Sequence, residues 1–597
     1  MKYTGGQAVA AHLVNEGVTH MFGIPGHGNT ALLDAFVEVQ DKITVLPAMH
    51  EQGASHMADG FFRSSGTIAA CCVTIGPGAT NTLTGVATAF ADSMPQLLIT
   101  GGVHTYMVGR GILQEINRTH DAAFPRMAEP VVKRWWQPSS LQQFPLMLDQ
   151  AFRSMREGRR GPVLLDIPQD LQAEEAELEL IAPQAHPTAP PRGDAESIER
   201  AAQLLLSAER PVIVAGGGVI AAGASAQMVA LAEHLGVPVT VSFMGKGAIA
   251  EDHVLYAEPC GDMGSSSGNA MTREADVVLA IGCKFSDRIA SSYKDGVTFD
   301  SRSTQFIQID IDPFEIGRNY PVKVGIIGDA ASVLADLLTA VTEHRAEPVD
   351  LAGLDRLTRL QQLKAQWYEH LAPMRTTDRT PMTISRVLVE ARKVLPRNGI
   401  LVTDSSNPQN QAYNEFPVYG PGTHITAGGF SGIGFAIPAA IGAKLGAPET
   451  PVLCLCGDGS FLQTGQELAV AAMLDLPVVF LIVNNGGWEA IKNLQLNLFG
   501  ADREMISGFR YANGNPYQAD LTAFARSLGV QAERVEDPRA VGPALRRAFA
   551  SGKPTVVEAL VARDYPYSGQ HPTGWWDITV PAYLGEQRTA YETKRGF

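Results

Sequence analysis

An aspartate and an asparagine set 27 residues apart, each at the end of an apolar run, are the strongest candidates for chemistry in this chain. The run Pro451–Cys456 leads into Gly457–Asp458–Gly459–Ser460–Phe461. A helical segment, Gln466–Met473, then leads to a second apolar run that ends in Asn484–Asn485–Gly486–Gly487. Residues at the ends of neighbouring parallel strands share one sheet edge, where α/β folds hold their ligands. One carboxylate (Asp458), one carboxamide (Asn485) and a backbone carbonyl suit Mg²⁺, which takes oxygen ligands and completes its shell with phosphate oxygens. The glycines let main-chain N–H groups approach a diphosphate. Each fragment alone also reads as a tight turn; the interval after two strands makes the pair specific.

The elements that must position these residues are legible along the whole chain. Short apolar, β-branched runs alternate with helical-period segments: Thr67–Thr74, Gln96–Thr100, Val163–Ile167, Val212–Ala215, Val277–Ile281, Gln305–Ile311, Val452–Cys456 and Val478–Val483. Such alternation predicts parallel sheets covered by helices. A Pro-rich stretch, Pro183–Gly193, reads as a linker, and the charged segment from His344 to about Thr383 reads as mostly solvated helix at a second boundary. The expected fold class is therefore α/β, with three doubly wound parallel-sheet domains over residues 1–182, 193–345 and 375–570, and a tail over 571–597. The first and third domains echo one another in their helix-to-strand turns, which suggests an internal repeat.

The chain has 597 residues, 45% hydrophobic and 18% charged, which is a globular composition needing several domains. Its net charge of −15 argues against a nucleic-acid or anionic-membrane partner. Ser64–Ala91 and Phe416–Ala443 carry no charge, but Gly, Pro, Thr, Ser and Asn break them, so buried strand-loop-helix units fit better than membrane spans. No apolar signal core opens the chain, and six cysteines without a C-x-x-C pair read as buried apolar residues of a reducing compartment. The expected location is cytoplasmic.

GDGSF followed by NNGG resembles the thiamine-diphosphate motif of the acetohydroxyacid synthase superfamily. The similarity spans nearly the whole chain: FGIPGHGNTALLDAF, MHEQGASHMADGFFRSSG and TIGPGATNTLTGVATAFADSMPQLLITG match the family's pyrimidine-binding domain. GGGVIAAGA and IQIDIDPFEIGRN match its middle domain, and SGIGFAIPAAIGA matches its cofactor segment. The resemblance implies that Asp458, Asn485 and the Gly487 carbonyl hold Mg²⁺, which grips the diphosphate, with Gly457, Gly459 and Ser460 around it. It implies that Glu51 hydrogen-bonds the aminopyrimidine ring nitrogen and relays its proton; read alone, Glu51 is a carboxylate between His50 and Gln52 with a surface role open to it. Ile433 stands where the family has a bulky apolar residue wedged between the cofactor rings, and Ser431 where a carbonyl meets the amino group; core packing is the plain alternative for Ile433.

In the middle domain, Gly216–Gly218 follows a strand and serves either a nucleotide or tight strand-helix packing. The resemblance implies ADP or coenzyme A, FAD, or nothing there. Arg159, Lys246, Asp310 and Asp329 match positions where coenzyme-A-using relatives hold adenosine. Two features depart from acetohydroxyacid synthases: the loop Trp488–Gln495 lacks their aromatic substrate loop, and the tail carries Trp575–Trp576, as a lid or as a strap on a neighbouring subunit. GHGN at Gly26–Asn29, LQEI at Leu113–Ile116 and the tail are also similar to trihydroxycyclohexanedione hydrolases, which makes His27 and Gln114 candidate site residues. Glu489, four residues past Asn485, is expected either as a proton-exchanging acid over the substrate or as the exposed first turn of a helix from Ala490 to about Leu496. The expectation is a thiamine-diphosphate/Mg²⁺ lyase or carboligase, first on 2-hydroxyacyl-CoA substrates. The alternatives are an acetolactate-synthase-like ligase of 2-oxo acids, a cyclic-dione hydrolase, and a non-catalytic cofactor-binding subunit. A homodimer at least, and a homotetramer by family pattern, is expected.

Overall fold

The computed structural model describes all residues except 117–121, 184–188, 564–572 and 597. Two of its sheets repeat one plan. The first is built from His20–Gly23, Thr44–Pro47, Ala70–Val73, Leu97–Gly102, Arg134–Trp136 and Val163–Pro168. The third is built from Ile400–Thr403, His424–Thr426, Val452–Gly457, Val478–Asn484, Gln531–Val535 and Thr555–Leu560. Numbered within its domain, each sheet has the order 2-1-3-4-6-5, parallel throughout. The middle domain has five parallel strands, Pro211–Ala215, Val239–Val241, Val277–Ile281, Gln305–Asp310 and Val322–Ile327, in the order 2-1-3-4-5. All three sheets therefore reverse direction between their strands 1 and 3, and a crevice opens at the carboxyl end of that point.

The strands are nearly uniformly apolar because helices cover both faces; Val478–Asn484, for example, is buried at every position. One core cluster runs from Phe22, Met57 and Val73 of the first domain into Ile437, Cys454 and Phe480 of the third, so these two units share a core. The joint is helix Glu51–Ser65 against helix Ala436–Gly446. A Cβ at Gly60 would lie 2.0 Å from the Ala439 carbonyl oxygen, and one at Gly442 1.9 Å from that of Met57, so only glycine permits this approach. Helix Asp355–Thr376 is mostly solvated, as expected, with one buried stripe of Leu357, Leu360, Leu363, Trp367 and Leu371 at helical spacing, three of them in the middle-domain core. The Pro-rich linker lies partly outside the described residues. No helix among the described residues is long and apolar enough to cross a membrane.

The tail folds back on its own chain. The Thr573 carbonyl accepts from Asn269 Nδ2 at 2.7 Å, and Trp576 lies under the Arg288 guanidinium at 5.4 Å. Trp575, Val580, Leu584 and Tyr591 pack with Leu498 and Phe499, at the end of helix Glu489–Phe499.

Candidate active site

Strand Val452–Gly457 delivers Asp458 directly into the first turn of a short additional helix, Asp458–Thr464, while the expected helix Gln466–Met473 stands as Leu468–Met473. The neighbouring strand ends at Asn484 and places Asn485 and Gly487 beside it. Asp458 Oδ2 accepts the Gly487 N–H at 3.1 Å. One terminal atom of the Asn485 carboxamide lies 3.1 Å from both Asp458 Oδ1 and the Gly487 carbonyl oxygen. As nitrogen it donates to both; as oxygen it completes a trio of oxygens that only a cation could hold together. An octahedral Mg²⁺ shell with bonds of 2.0–2.1 Å has neighbouring oxygens about 2.9 Å apart, so the donor set and spacing fit this ion. Burial pushes the Asp458 carboxyl up to about 6, against backbone donors that favour its anion. A Cβ at Gly457 would meet only Pro408, in ordinary contact at 3.9 Å, whereas the gap left by Gly459 is filled by the Trp488 indole, so that second glycine serves packing. Ser460 is buried on the same turn.

Across the crevice, strand Ile400–Thr403 ends in Asp404, which sequence reasoning missed although an Asp after an apolar run was the same signal that marked Asp458. Its two oxygens accept the Gly434 N–H at 3.0 Å and the Ala436 N–H at 2.8 Å. These bonds fix the arch Ser431–Phe435. Ser431 takes φ +57°, a left-handed conformation uncommon outside glycine, and its hydroxyl meets that of Ser405 at 2.7 Å. Ile433 is half-buried and belongs to no core cluster among the described residues.

Glu489 is 3% exposed, not the solvated first turn of a helix. Oε1 pairs with Lys492 Nζ at 3.2 Å and Oε2 has no partner. Burial holds its carboxyl above the usual range, with Lys492 opposing. It lines a small polar cavity with Asn407, Gln411, Asn485 and Arg563, directly behind the metal-type oxygens.

In the first domain, Glu51 opens helix Glu51–Ser65, is 9% exposed, and accepts from Asn81 Nδ2 at 3.0 Å. His27 lies in the loop after that sheet's first strand and is exposed; the adjoining Gly28 N–H donates to Thr74 Oγ1 at 3.0 Å. Gln114 is exposed with φ +64°, and its carbonyl presses on Gly76. Glu51, His27 and Gln114 thus share one sheet edge. No hydrogen bond or ion pair among the described residues joins this edge to Asp458, Asn485 or Gly487.

The middle-domain crevice is a cavity of about 750 Å³, within the range of small-molecule and cofactor sites. Gly217, Gly218, Gly282, Arg159, Asp310 and Asp329 line it. Arg159 bonds Glu315 at 2.7 Å and Ser93 at 2.9 Å; Asp329 caps helix Ala330–His344; burial pushes Asp310 up to about 6. Lys246 is not brought here. Its ammonium is fully buried against Glu251 at 2.6 Å and the Tyr413 carbonyl at 2.9 Å, and it does not line this cavity.

Three family models match the chain in order: the N-terminal TPP binding domain over residues 3–121, the central domain over 198–337 and the C-terminal TPP binding domain over 404–559, all of thiamine pyrophosphate enzymes. The chain is a thiamine pyrophosphate enzyme. It belongs to the acetohydroxyacid synthase superfamily, and the family's cofactor is the thiamine diphosphate expected from the motif. Its relatives include the probable acetolactate synthase large subunit of Methanocaldococcus jannaschii, 35% identical over 93% of this chain and 92% of that one. The acetolactate synthase large subunit of Corynebacterium glutamicum is 33% identical over 94% and 87%. The isozyme 3 large subunit of Escherichia coli is 32% identical over 88% of each chain. The chain is therefore a carboligase- or lyase-type thiamine pyrophosphate enzyme, and its sheets supply that family's three α/β domains.

Proposed function

We propose that this enzyme joins 2-oxo acids as an acetolactate-synthase-like carboligase. The reading is carried by full-length similarity to acetolactate synthase large subunits, which outweighs the first expectation of a 2-hydroxyacyl-CoA lyase. When bound, thiamine diphosphate supplies the electron sink for making or breaking a C–C bond beside a carbonyl. Asp458, Asn485 and the Gly487 carbonyl hold Mg²⁺ and through it the diphosphate, supported by the 3.1 Å spacing of their oxygens. Ser431 presents its carbonyl to the cofactor amino group from a backbone conformation that Asp404 maintains, and Ile433 offers a half-exposed wedge to the rings. Glu51 exchanges a proton at the aminopyrimidine ring nitrogen. His27 and Gln114, on the same edge, face the substrate side.

Among the described residues Glu51 shares no hydrogen bond or ion pair with Asp458, Asn485 or Gly487, which supports a site completed between two subunits, in a dimer or a pair of dimers. The middle cavity suits a nucleotide: glycines line the loops after its first and third strands, acidic residues follow its last two strands, and Arg159 lines it as well. Its volume favours a dinucleotide such as FAD over ADP alone, with coenzyme A a further candidate.

A second reading, a lyase acting on 2-hydroxyacyl thioesters, is favoured by Glu489 alone, a buried acid with one unpartnered oxygen beside the metal loop. Purified enzyme with thiamine diphosphate and Mg²⁺ is assayed on pyruvate and on a 2-hydroxyacyl-CoA. Acetolactate formation without thioester cleavage supports the ligase; cleavage without acetolactate overturns it.

A further inference from the structure

We propose that Glu467 is a positioning residue, reaching from the third domain to clamp the backbone ahead of Glu51, and that its charge tunes the proton exchange Glu51 carries out. The inference rests on Glu51 serving the cofactor as proposed above.

Glu467 closes the turn Gly465–Glu467, nine residues beyond Asp458, and is fully buried. Its Oε2 accepts the Met49 N–H at 3.0 Å, and the His50 N–H adds to the same carboxyl. Met49 and His50 immediately precede Glu51, so the anchor sets where the catalytic helix begins. The other oxygen, Oε1, has no hydrogen-bond partner. It faces Gly53, where a Cβ would fall 2.3 Å away. The carboxyl is therefore wedged between residues 49 and 53, bracketing Glu51, and any side chain at 53 would expel it.

A buried carboxyl with one idle oxygen is an expensive way to satisfy two N–H groups; a neutral amide could do the same. What a carboxyl adds is the ability to change charge. Burial pushes its carboxyl up to about 7 against the opposing Met49 and His50 N–H groups, and the Glu51 carboxylate adds a smaller push in the same direction as burial. Glu51 is the charged neighbour acting on it from helix Glu51–Ser65, and His50 faces it through its backbone. Glu467 thus stands where its charge is felt by the Glu51 carboxyl across residues 49 and 50. Ionisation of one alters what the other does with its proton.

The test is proton uptake on binding thiamine diphosphate with Mg²⁺, measured by calorimetry in buffers of different ionisation enthalpy between pH 5.5 and 8.5. The wild type is expected to show a step in proton count near pH 7. Glu467→Gln, which keeps an acceptor for Met49 but cannot ionise, loses that step. Gly53→Ala, which drives the carboxyl away, slows deuterium exchange at C2 of the bound cofactor at least tenfold with the circular dichroism spectrum unchanged. A step that persists in Glu467→Gln, or wild-type exchange in Gly53→Ala, overturns the inference. If Glu51→Gln leaves the proton count at every pH as in the wild type, the proposed role of Glu51 fails. A change in Glu51→Gln with none in Glu467→Gln sinks the present inference alone.

Discussion

Removing the Asp404 carboxylate should loosen the arch that carries Ser431 and Ile433 before it affects anything else. Asp404 is fully buried and takes both the Gly434 and Ala436 N–H groups. In Asp404→Ala both donors are orphaned at about 1–3 kcal/mol each, so the arch loses about 2–6 kcal/mol of local stability. Asp404→Asn keeps one acceptor and should lose about half as much. At about 1.4 kcal/mol per factor of ten, the lower figure for Ala means at least ~30-fold faster amide exchange at Gly434 and Ala436. Hydrogen–deuterium exchange with peptide resolution over 428–440 reads this directly, and cofactor affinity should fall in parallel. The pH dependence has a definite sign. The folded carboxyl is raised to about 6 from 3.8, so its contribution is full below the unfolded value and is lost as pH rises through about 6. The wild type therefore sheds about 3 kcal/mol from this group between pH 4 and pH 7, and the Asn variant does not. Unchanged protection of the arch in Asp404→Ala would refute the reasoning, because the Ser405 and Thr464 hydroxyls that also touch it accept neither the Gly434 nor the Ala436 N–H.

Three further outcomes are expected. Glu489→Gln should lower turnover by ~10²–10⁴-fold if its proton is used, and should erase a limb of the kcat/KM profile that falls as pH rises through the raised Glu489 value. Gly442→Ala should cost about 1–3 kcal/mol through collision with the Met57 carbonyl, seen as a thermal midpoint lower by several degrees. Asp458→Ala should abolish Mg²⁺-dependent retention of thiamine diphosphate, because it removes the single charged member of the oxygen trio; calorimetry showing wild-type affinity would place the metal elsewhere.

Much of this architecture was legible because apolar runs ending in small polar residues have one stable fate, parallel strands under helices. Val452–Cys456 and Val478–Val483 each came out one residue longer at the C-terminal end, and the expected repeat appears as identical strand order in the first and third sheets. The helix Gln466–Met473 came out as Leu468–Met473, but the short helix Asp458–Thr464 before it went unread because Gly-Asp-Gly carries a turn signal. The segment around Trp367 is mostly solvated, as its charges indicated, and five apolar residues at spacings of three and four mark the one stripe it buries. Lys246 illustrates the limit of position-by-position inference: a lysine in a glycine-rich loop was free to point at a nucleotide, and only the fold shows Glu251 and Tyr413 enclosing it. Glu467 carried no local signal, since its partner Met49 lies 418 residues away.

The central claim is that Glu51 exchanges a proton with a cofactor held by the Asp458 oxygens. NMR measurement of C2–H exchange in bound thiamine diphosphate addresses it most directly, comparing wild type with Glu51→Gln under saturating cofactor and Mg²⁺. The account predicts a variant that binds the cofactor and exchanges ~10²–10⁴-fold more slowly, because a carboxamide can hydrogen-bond the ring but cannot pass a proton to it. Exchange at the wild-type rate in the fully loaded variant would contradict it.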